Sequence, residues 1–261
     1  MDSQNPFSLI GRTVLLTGAS GYLGQAMALG LAQAGASVIV SSRNASKSQS
    51  LAAELPTQGE AKHFGVQIDH LDPDSIETGF ASAIATAGKI DSLVANGHEP
   101  LGADWKRVTA DQFNRQLQNA SGYFLLARHV RNHVVERQGS GSVVMLGSMY
   151  GLVGSYPDAY EEAGNASPVA YHALKGGVLQ MVRHLAVYWA EDKIRVNALS
   201  PGPFPSPAAP QAMVEKLKQK SPLKRMGQPS ELIGPLVFLA SEASSYVTGH
   251  NLVVDGGWTA W

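Results

Sequence analysis

Tyr171 and Lys175 are the residues whose types and spacing most directly suggest acid–base chemistry. They lie four residues apart in the stretch YHALK, in a segment whose pattern predicts a helix, so both side chains share one face. A tyrosine ordinarily has a pKa of about 10, and a neighbouring ammonium favours the phenolate. Lowering that pKa by about 3 units takes roughly 4 kcal/mol. Such a phenol could exchange a proton with a substrate oxygen, although an ordinary surface contact would explain the same spacing.

A glycine-rich turn, TGASGYLG, follows the first predicted strand and opens the first predicted helix. Glycines let the backbone approach a pyrophosphate closely, and the free N–H groups at the start of a helix favour its negative charge. The turn therefore predicts a dinucleotide site with contacts at Gly18, Ser20, Gly21, Tyr22 and Leu23. Taken alone, the motif also fits a tight strand–helix turn without a ligand.

The second predicted strand runs into Ser42 and Arg43. Sites that bind NAD usually place a carboxylate here to hold both ribose hydroxyls. A guanidinium can instead pair with a 2′-phosphate, which a carboxylate would repel. The two residues therefore favour NADP(H) as the cofactor and leave NAD(H) as the alternative. Arg43 could also be an ordinary solvated residue, with Asn44 capping the next helix.

Short β-rich runs alternate with longer segments of helical pattern along the chain. Several runs are continuously apolar, as expected of parallel strands covered on both faces. This alternation predicts an α/β fold, a three-layer doubly wound parallel sheet of the Rossmann type, in a single domain over residues 1–261. The predicted strands are Thr13–Thr17, Ser37–Val40, Lys62–Ile68, Ser92–Ala95, Ser142–Leu146, Ile194–Leu199 and Asn251–Val254. The predicted helices are roughly Tyr22–Gln33, Ser46–Glu54, Pro73–Thr86, Ala110–Glu136, Pro168–Trp189 and Pro229–Ala240.

The composition excludes several classes of function. The chain has 261 residues, of which 44% are hydrophobic and 16% charged, and its net charge of −1 offers no basic surface for nucleic acid. It contains no cysteine, which excludes disulfides, thiolate catalysis and cysteine-ligated zinc and fits a reducing compartment. No segment approaches the roughly 18 apolar residues of a membrane span. We therefore expect a cytoplasmic protein that acts on a small molecule.

Two segments interrupt the alternation of strands and helices. Tyr150–Ser167 is a long polar and aromatic stretch, and Pro201–Pro210 holds five prolines in ten positions. That density of proline argues against a helix or a central strand there. Because such folds bind ligands in the loops after parallel strands, we expect substrate loops at about 150–167 and 201–222.

His129 and His133 lie four apart on a predicted helix, a spacing at which two histidines can share a metal ion. No third ligand is nearby in the sequence, and Arg128 and Arg131 would repel a cation. We therefore expect no metal site, and a surface position near the end of the helix explains the pair.

The motifs occur in a fixed order that resembles the classical short-chain dehydrogenase/reductase family from about Ile10 to Trp258. Besides the glycine-rich turn, Asp91–His98 (DSLVANGH) is similar to the family's Asp-x-Leu-Val-Asn-Asn-Ala-Gly strand, and Tyr171–Lys175 carries its Tyr-x-x-x-Lys signature. The other similar segments are Asn119–Phe124 (NASGYF), Gly141–Gly151 (GSVVMLGSMYG), Ile194–Gly202 (IRVNALSPG) and Val247–Trp258 (VTGHNLVVDGGW). Seven motifs in register leave little room for chance.

The resemblance implies a role for each matching residue. Ser148 would hold and polarise the substrate oxygen, and Tyr171 would be the general acid or base. Lys175 would lower the pKa of the tyrosine and hold the nicotinamide ribose hydroxyls, and Asn119 would support a water in a proton relay. Further cofactor contacts would come from Asp69 at the adenine amino group, Asn96 and Gly97 near the adenosine ribose, and Pro201 and Gly202 beside the nicotinamide.

The sequence departs from the family pattern near the cofactor. Tyr22 replaces the second glycine of the turn, so the glycine spacing is closer to that of the extended members of the family. His98 and Glu99 stand where the family has glycine, at a strand end that faces the cleft. They either touch cofactor or substrate or form a solvated pair in a loop.

More residues than usual separate Ser148 from Tyr171. The surplus is residues 156–165 (YPDAYEEAGN), which we expect to line the substrate pocket. Its tyrosines, carboxylates and asparagine suit a polyhydroxylated molecule, such as a sugar or sugar acid. A solvated surface loop is the alternative.

The leading functional prediction is an NAD(P)(H)-dependent oxidoreductase that interconverts a secondary alcohol and a ketone on a polar sugar-like or hydroxy/keto-acid substrate. The glycine spacing leaves a nucleotide-sugar epimerase or dehydratase with bound NAD as an alternative. A non-catalytic dinucleotide-binding protein is another, although such a protein usually loses one of the residues matched by Ser148, Tyr171 and Lys175. The resemblance also implies a homo-oligomer, a dimer or homotetramer, assembled through the two long central helices.

Overall fold

The centre of the molecule is a parallel β-sheet of seven strands. The computed structural model describes residues 5–160 and 167–261. The strands are β1 (Thr13–Thr17), β2 (Ser37–Ser42), β3 (Phe64–Gln67), β4 (Ser92–Ala95), β5 (Gly141–Leu146), β6 (Ile194–Pro201) and β7 (Asn251–Val254). They lie in the order β3-β2-β1-β4-β5-β6-β7, and each neighbouring pair is parallel.

The strand order reverses between β1 and β4. From β1 the chain moves outward to β2 and β3, and from β4 it moves the other way to β7. Leu16 of β1 is paired with Val94 of β4, so both strands end at the same edge. The crevice outside the carboxyl ends of strands at such a reversal is where open α/β sheets bind ligands. The predicted fold class, a doubly wound parallel sheet, is confirmed.

Helices cover both faces of the sheet. Those described are α1 (Tyr22–Gln33), α2 (Ala45–Glu54), α3 (Pro73–Ala87), α4 (Ala110–Glu136), α5 (Pro157–Tyr160), α6 (Val169–Tyr188), α7 (Gln211–Lys220) and α8 (Ile233–Ala240). Side chains of α1, α2 and α8 pack on one face, and those of α3, α4 and α6 on the other. Within residues 5–160 and 167–261, no helix has the length and apolar character needed to cross a membrane.

Two apolar cores fill the space between the layers. Leu15 and Val143 point into the core beneath α4 and α6, whereas their strand neighbours Val14 and Val144 point into the core beneath α1 and α8. This follows from the alternation of side chains along a strand, and it explains why both strands are apolar at every position. Burying each such side chain contributes about 1.5–3 kcal/mol.

The structure differs from the sequence prediction after β6. The prediction that a central strand would not include these prolines was wrong for Pro201, which ends β6 opposite Val254. A proline is tolerated there because the ladder continues through the N–H of Gly202, which donates to the Val254 carbonyl at 2.9 Å. Helix α7 was also not predicted; it begins directly after Pro210, the last proline of the segment.

Candidate active site

One cavity of about 290 Å³ is lined by Ser148, Tyr171 and Lys175. Ser148 lies two residues beyond the end of β5, whereas Tyr171 and Lys175 lie one turn apart on α6. Pro201 and Gly202, at the end of β6, line the same cavity. The tertiary structure thus brings these five predicted site residues together, from three separate parts of the chain.

Lys175 is held deep in this cavity. Its side chain is buried, with 4% of the residue exposed, and Nζ donates a hydrogen bond to the Leu146 carbonyl at 2.6 Å. Nζ also lies 5.7 Å from the centroid of the Tyr171 ring. Burial lowers the pKa of Lys175 to about 7, because a charged ammonium loses its hydration there. The amine is therefore only partly protonated near neutral pH.

Tyr171 has a raised pKa in the protein. Burial is the main cause, a hydrogen bond with Ser148 acts in the opposite direction, and the nearby Tyr160 phenol adds to the rise. The sequence suggested a pKa lowered by the neighbouring ammonium. The protein groups alone do not produce that lowering, because desolvation of the phenolate outweighs the other effects. The phenol is therefore protonated at neutral pH.

The Ser148 hydroxyl is fixed by the backbone that follows it. Its Oγ accepts a hydrogen bond from the N–H of Tyr150 at 3.1 Å, at the start of a single 3₁₀ turn formed by Met149–Gly151. Because a serine oxygen has two lone pairs and a rotatable proton, this contact orients the hydroxyl and leaves it able to bind another group.

Asn119 is buried in the middle of α4 and is fully hydrogen bonded. Its Oδ1 accepts from His70 Nε2 and from the N–H of Glu99, both at 2.8 Å. Its Nδ2 donates to the carbonyls of Gln116, at 2.9 Å, and Glu99, at 3.4 Å. A side-chain amide has two donors and two lone pairs, and all four are used. The side chain thus fixes the segment that follows β4.

The glycine-rich turn forms one wall of a second cavity of about 460 Å³, which adjoins the first. Leu23, Asn96, His98 and Phe204 line both cavities. The predicted cofactor residues on this cleft, besides Leu23 and Asn96, are Gly18, Ser20, Gly21, Tyr22, Ser42, Arg43 and Gly97. Helix α1 begins after Gly21, with no side chain capping its first N–H groups.

The turn packs directly against the end of β4. Gly18 has φ = +62°, and a Cβ there would lie 2.8 Å from the Cα of Gly97. The Asn96 amide donates to the carbonyls of Thr17 and Gly18, at 3.2 and 3.0 Å. The N–H groups of Asn96 and Gly97 both donate to Thr17 Oγ1 at 3.0 Å. The segment Ala95–His98 (ANGH), which departs from the family pattern, therefore still ties the end of β4 to the glycine-rich turn.

Arg43 reaches across the cleft. Its side chain is 66% exposed, and Nη1 lies 3.3 Å from Glu99 Oε2. Asn44 caps α2 by accepting from the Lys47 N–H at 2.9 Å, as the sequence suggested. Asp69 does not line the cleft: its Oδ1 accepts from the N–H of Leu71, two residues on, at 3.0 Å.

A third cavity of about 420 Å³ opens beside Tyr171. The phenol oxygens of Tyr150 and Tyr160 are hydrogen bonded at 2.5 Å, and both rings line this cavity together with Ser167 and His98. Tyr160 belongs to the surplus between Ser148 and Tyr171, so part of that surplus lines this cavity.

Other residues of the surplus lie elsewhere. Tyr156 packs edge-on against the buried Trp258, with ring centroids 5.4 Å apart. Asp158 forms an ion pair of 2.7 Å with Lys220 of α7, which joins the two segments that the sequence marked as substrate loops. Residues 161–165 of the surplus lie outside the described part of the chain.

The sequence left the roles of Glu99 and His98 open between a contact with cofactor or substrate and a solvated pair in a loop. Glu99 is held by Arg115 through bonds of 2.8 and 3.2 Å, and this contact lowers the pKa of Glu99, so its carboxylate stays charged. His98 lies edge-on to Tyr171, with ring centroids 5.2 Å apart. Both residues follow β4, at the reversal of strand order, and that position was the feature of the sequence that pointed to them.

His129 and His133 lie on the side of α4 that packs against α3. Their rings lie 5.1 and 6.3 Å from that of Phe80, and His133 Nε2 accepts from the Ile90 N–H at 3.3 Å. Within the described residues, no three histidine or acidic side chains group as metal ligands would.

Comparison with known proteins places the chain among dehydrogenases. A family model described as enoyl-(acyl carrier protein) reductase matches residues 18–259. A D-arabinitol 2-dehydrogenase (ribulose-forming) from Scheffersomyces stipitis is 33% identical, over 98% of this chain and 96% of that protein.

Two solved structures are similar over 98% of both chains. A short-chain type dehydrogenase/reductase from Mycobacterium marinum has a TM-score of 0.87 at 30% identity. A gluconate 5-dehydrogenase from Burkholderia cenocepacia, in complex with NADP and tartrate, has a TM-score of 0.87 at 28% identity. Given the matching motifs, the parallel sheet and the near-complete coverage, the chain belongs to the classical short-chain dehydrogenase/reductase family.

Proposed function

We propose that this protein is an NADP(H)-preferring oxidoreductase that interconverts a secondary alcohol and a ketone on a polar, sugar-like or hydroxy/keto-acid substrate. The chain is an NAD(P)-dependent enzyme of its family that acts on CH–OH groups. The observation that carries the proposal is that Ser148, Tyr171 and Lys175 line one cavity adjoining the glycine-rich cleft.

The cleft fits a dinucleotide. Its wall is backbone at Gly18 and Gly21, and a side chain at Gly18 would fill the space beside Gly97. The uncapped start of α1 offers N–H groups to a pyrophosphate. Pro201, Gly202 and Lys175 lie in the adjoining cavity, where they would meet the nicotinamide and its ribose. When bound, the cofactor supplies or accepts the hydride.

Tyr171 is the proton donor in the reduction of a ketone and the acceptor in the reverse reaction. In reduction, the phenol proton passes to the substrate oxygen as a hydride reaches the carbonyl carbon, and the ketone becomes an alcohol. The raised pKa of Tyr171 keeps this proton in place at neutral pH. Ser148 holds the same substrate oxygen through its free hydrogen-bonding capacity, and Lys175 holds the ribose hydroxyls.

Asn119 acts as a positioning residue in this proposal. The family resemblance assigns it to a relay water, but its four hydrogen-bonding positions are occupied by His70, Glu99 and Gln116. Its effect on the reaction would be to fix the segment carrying His98 and Glu99.

The preference for NADP(H) rests on Ser42 and Arg43. Both line the cleft, and neither is acidic. The Arg43 guanidinium is largely exposed, so a 2′-phosphate could pair with it without a large desolvation cost. Asp69, which the resemblance assigns to the adenine amino group, has one carboxylate oxygen bonded to the N–H of Leu71.

The polar substrate is supported by the cavity beside Tyr171. The paired phenols of Tyr150 and Tyr160, together with Ser167, provide neutral donors and acceptors for hydroxyl groups. Two of the proteins to which the chain is similar are dehydrogenases named for a sugar alcohol and a sugar acid.

The cellular setting is inferred from the composition, and the assembly from the family resemblance. We place the protein in the cytoplasm, since its sequence has no cysteine and is free of long apolar segments. We infer a dimer or homotetramer built on α4 and α6, one domain over residues 1–261, and substrate loops at about 150–167 and 201–222.

A direct spectrophotometric assay tests the proposal. Purified protein is mixed with NADPH or NADH and a panel of ketoses and keto acids, and nicotinamide absorbance is followed. We expect oxidation of NADPH with at least one polar ketone. A protein that retains tightly bound NAD and isomerises or dehydrates a nucleotide sugar would support the alternative suggested by the glycine spacing. Cofactor binding without turnover of any carbonyl compound would indicate a non-catalytic protein.

A further inference from the structure

His98 lies where the three cavities of the site meet. It is the one residue of ranges 5–160 and 167–261 that lines the cofactor cleft, the cavity of Ser148 and Lys175, and the cavity of Tyr150 and Tyr160. Its ring stands edge-on to Tyr171, with centroids 5.2 Å apart and an angle of 76° between the planes. A molecule that contacts Tyr171 in any of these cavities therefore lies close to this imidazole.

The hydrogen bonding of His98 assigns its proton to one nitrogen. The Gln116 amide Nε2 lies 3.4 Å from His98 Nε2 and donates to it, so a neutral ring carries its proton on Nδ1. Nδ1 is buried and has no hydrogen-bond partner. A buried donor without an acceptor is rare in folded proteins, because the group has lost its hydration and gained no partner.

The ring is also neutral at neutral pH. Burial, followed by the positive charges of Lys175 and His70, lowers the pKa of His98 to about 3, and Glu99 opposes this only in part. A neutral imidazole is a hydrogen-bond donor of fixed orientation rather than a charged group, so it suits an uncharged oxygen.

We propose that His98 binds the substrate, with its Nδ1–H donating a hydrogen bond to a hydroxyl oxygen on a carbon next to the reacting carbon. The inference rests on the proposed function, because it takes Tyr171 to meet the reacting oxygen. The ring packs against that tyrosine and lines all three cavities, so a rotation of the imidazole would bring the buried Nδ1 to an oxygen on a neighbouring carbon. This hydroxyl removes the cost of the unpartnered donor, and a substrate that lacks it leaves the donor unpaired.

The experiment compares substrates that differ by one hydroxyl. The test ketose is whichever of D-ribulose, D-xylulose and D-fructose the wild-type enzyme reduces fastest with NADPH. It is compared with its deoxy analogues, each of which lacks the hydroxyl on one of the two carbons next to the carbonyl. The variants are His98→Phe, which keeps an aromatic ring against Tyr171, and His98→Gln, which keeps an N–H donor. His184→Phe makes the same exchange on an exposed histidine of α6 and is the matched control.

We expect the wild-type enzyme and His184→Phe to prefer the ketose over one of its deoxy analogues by at least about tenfold in kcat/KM. In His98→Phe this ratio should fall to near one, and His98→Gln should keep part of it. A structural role for His98 would lower kcat/KM for both substrates equally, and an unchanged ratio would therefore overturn the inference. Loss of NADPH affinity with an unchanged ratio would also overturn it and assign Nδ1 to the cofactor. A wild-type enzyme that oxidises NADPH with none of the ketoses or keto acids would instead contradict the proposed function, whereas reduction of keto acids alone would overturn the inference about His98.

Discussion

The ammonium of Lys175 donates a hydrogen bond of 2.6 Å to the carbonyl of Leu146, the last residue of β5. This bond ties the middle of α6 to the strand end that leads to Ser148. Because Tyr171 lies one turn before Lys175 on the same helix, the contact sets the position of the phenol relative to the serine hydroxyl. The lysine thus organises the site through this hydrogen bond.

The first prediction concerns the proton donor. In Tyr171→Phe we expect kcat to fall by about 10²–10⁴, because the general acid is removed, while the Kd for NADPH changes little. Tyr188→Phe, on the exposed end of the same helix, should be near wild type. Stopped-flow turnover and cofactor fluorescence titration measure the two quantities. Turnover of Tyr171→Phe at close to the wild-type rate would refute the assignment.

The second prediction concerns cofactor preference. Arg43→Ala should weaken NADPH binding by about tenfold or more and leave NADH binding nearly unchanged, since only the former has the 2′-phosphate. Arg183→Ala, an exposed arginine on α6, serves as the control. Isothermal titration of both cofactors checks this. Equal losses for the two cofactors would remove the 2′-phosphate role.

The third prediction follows from the burial of Lys175. Its pKa is about 7 in the folded protein and 10.5 ordinarily, so burial of the charged form destabilises the fold most below pH 7. As the pH rises from 7 to 10.5, the folded state has lost the proton that the unfolded chain still holds, and the penalty disappears. Lys175→Met should therefore raise Tm, relative to wild type, more at about pH 6 than at about pH 10. Calorimetry at both pH values tests this, and a difference in Tm independent of pH would contradict it.

The fourth prediction compares alanine substitutions at two helical glycines. A Cβ on Gly24 would collide with the carbonyl oxygen of Gly18, so Gly24→Ala should destabilise the fold by about 1–3 kcal/mol and weaken NADPH binding. Gly177 of α6 has open space around the same position, and Gly177→Ala should stabilise the protein by about 0.5–1 kcal/mol. Denaturant unfolding measures both. Equal effects of the two substitutions would show that close packing of the turn is not the cause.

The sequence alone determined the fold class and most element boundaries. Runs such as TVLLT in β1 and SLVA in β4 are apolar at every position because both faces of the strand are buried, and that pattern is local. The order of the motifs, through the family resemblance, also predicted which residues form the candidate site. Helix α7 was not predicted, because the prolines before it indicate a loop.

Only the tertiary structure decided how the site residues interact. Spacing on one helix put Tyr171 and Lys175 on the same face, but burial, which depends on the whole fold, raised the pKa of one and lowered that of the other. Packing of α4 against the end of β4 occupied all four hydrogen-bonding positions of Asn119, and it left His98 beside Tyr171 with an unpartnered nitrogen. Contacts between residues distant in sequence set desolvation and hydrogen-bond partners, and neither is encoded in local pattern.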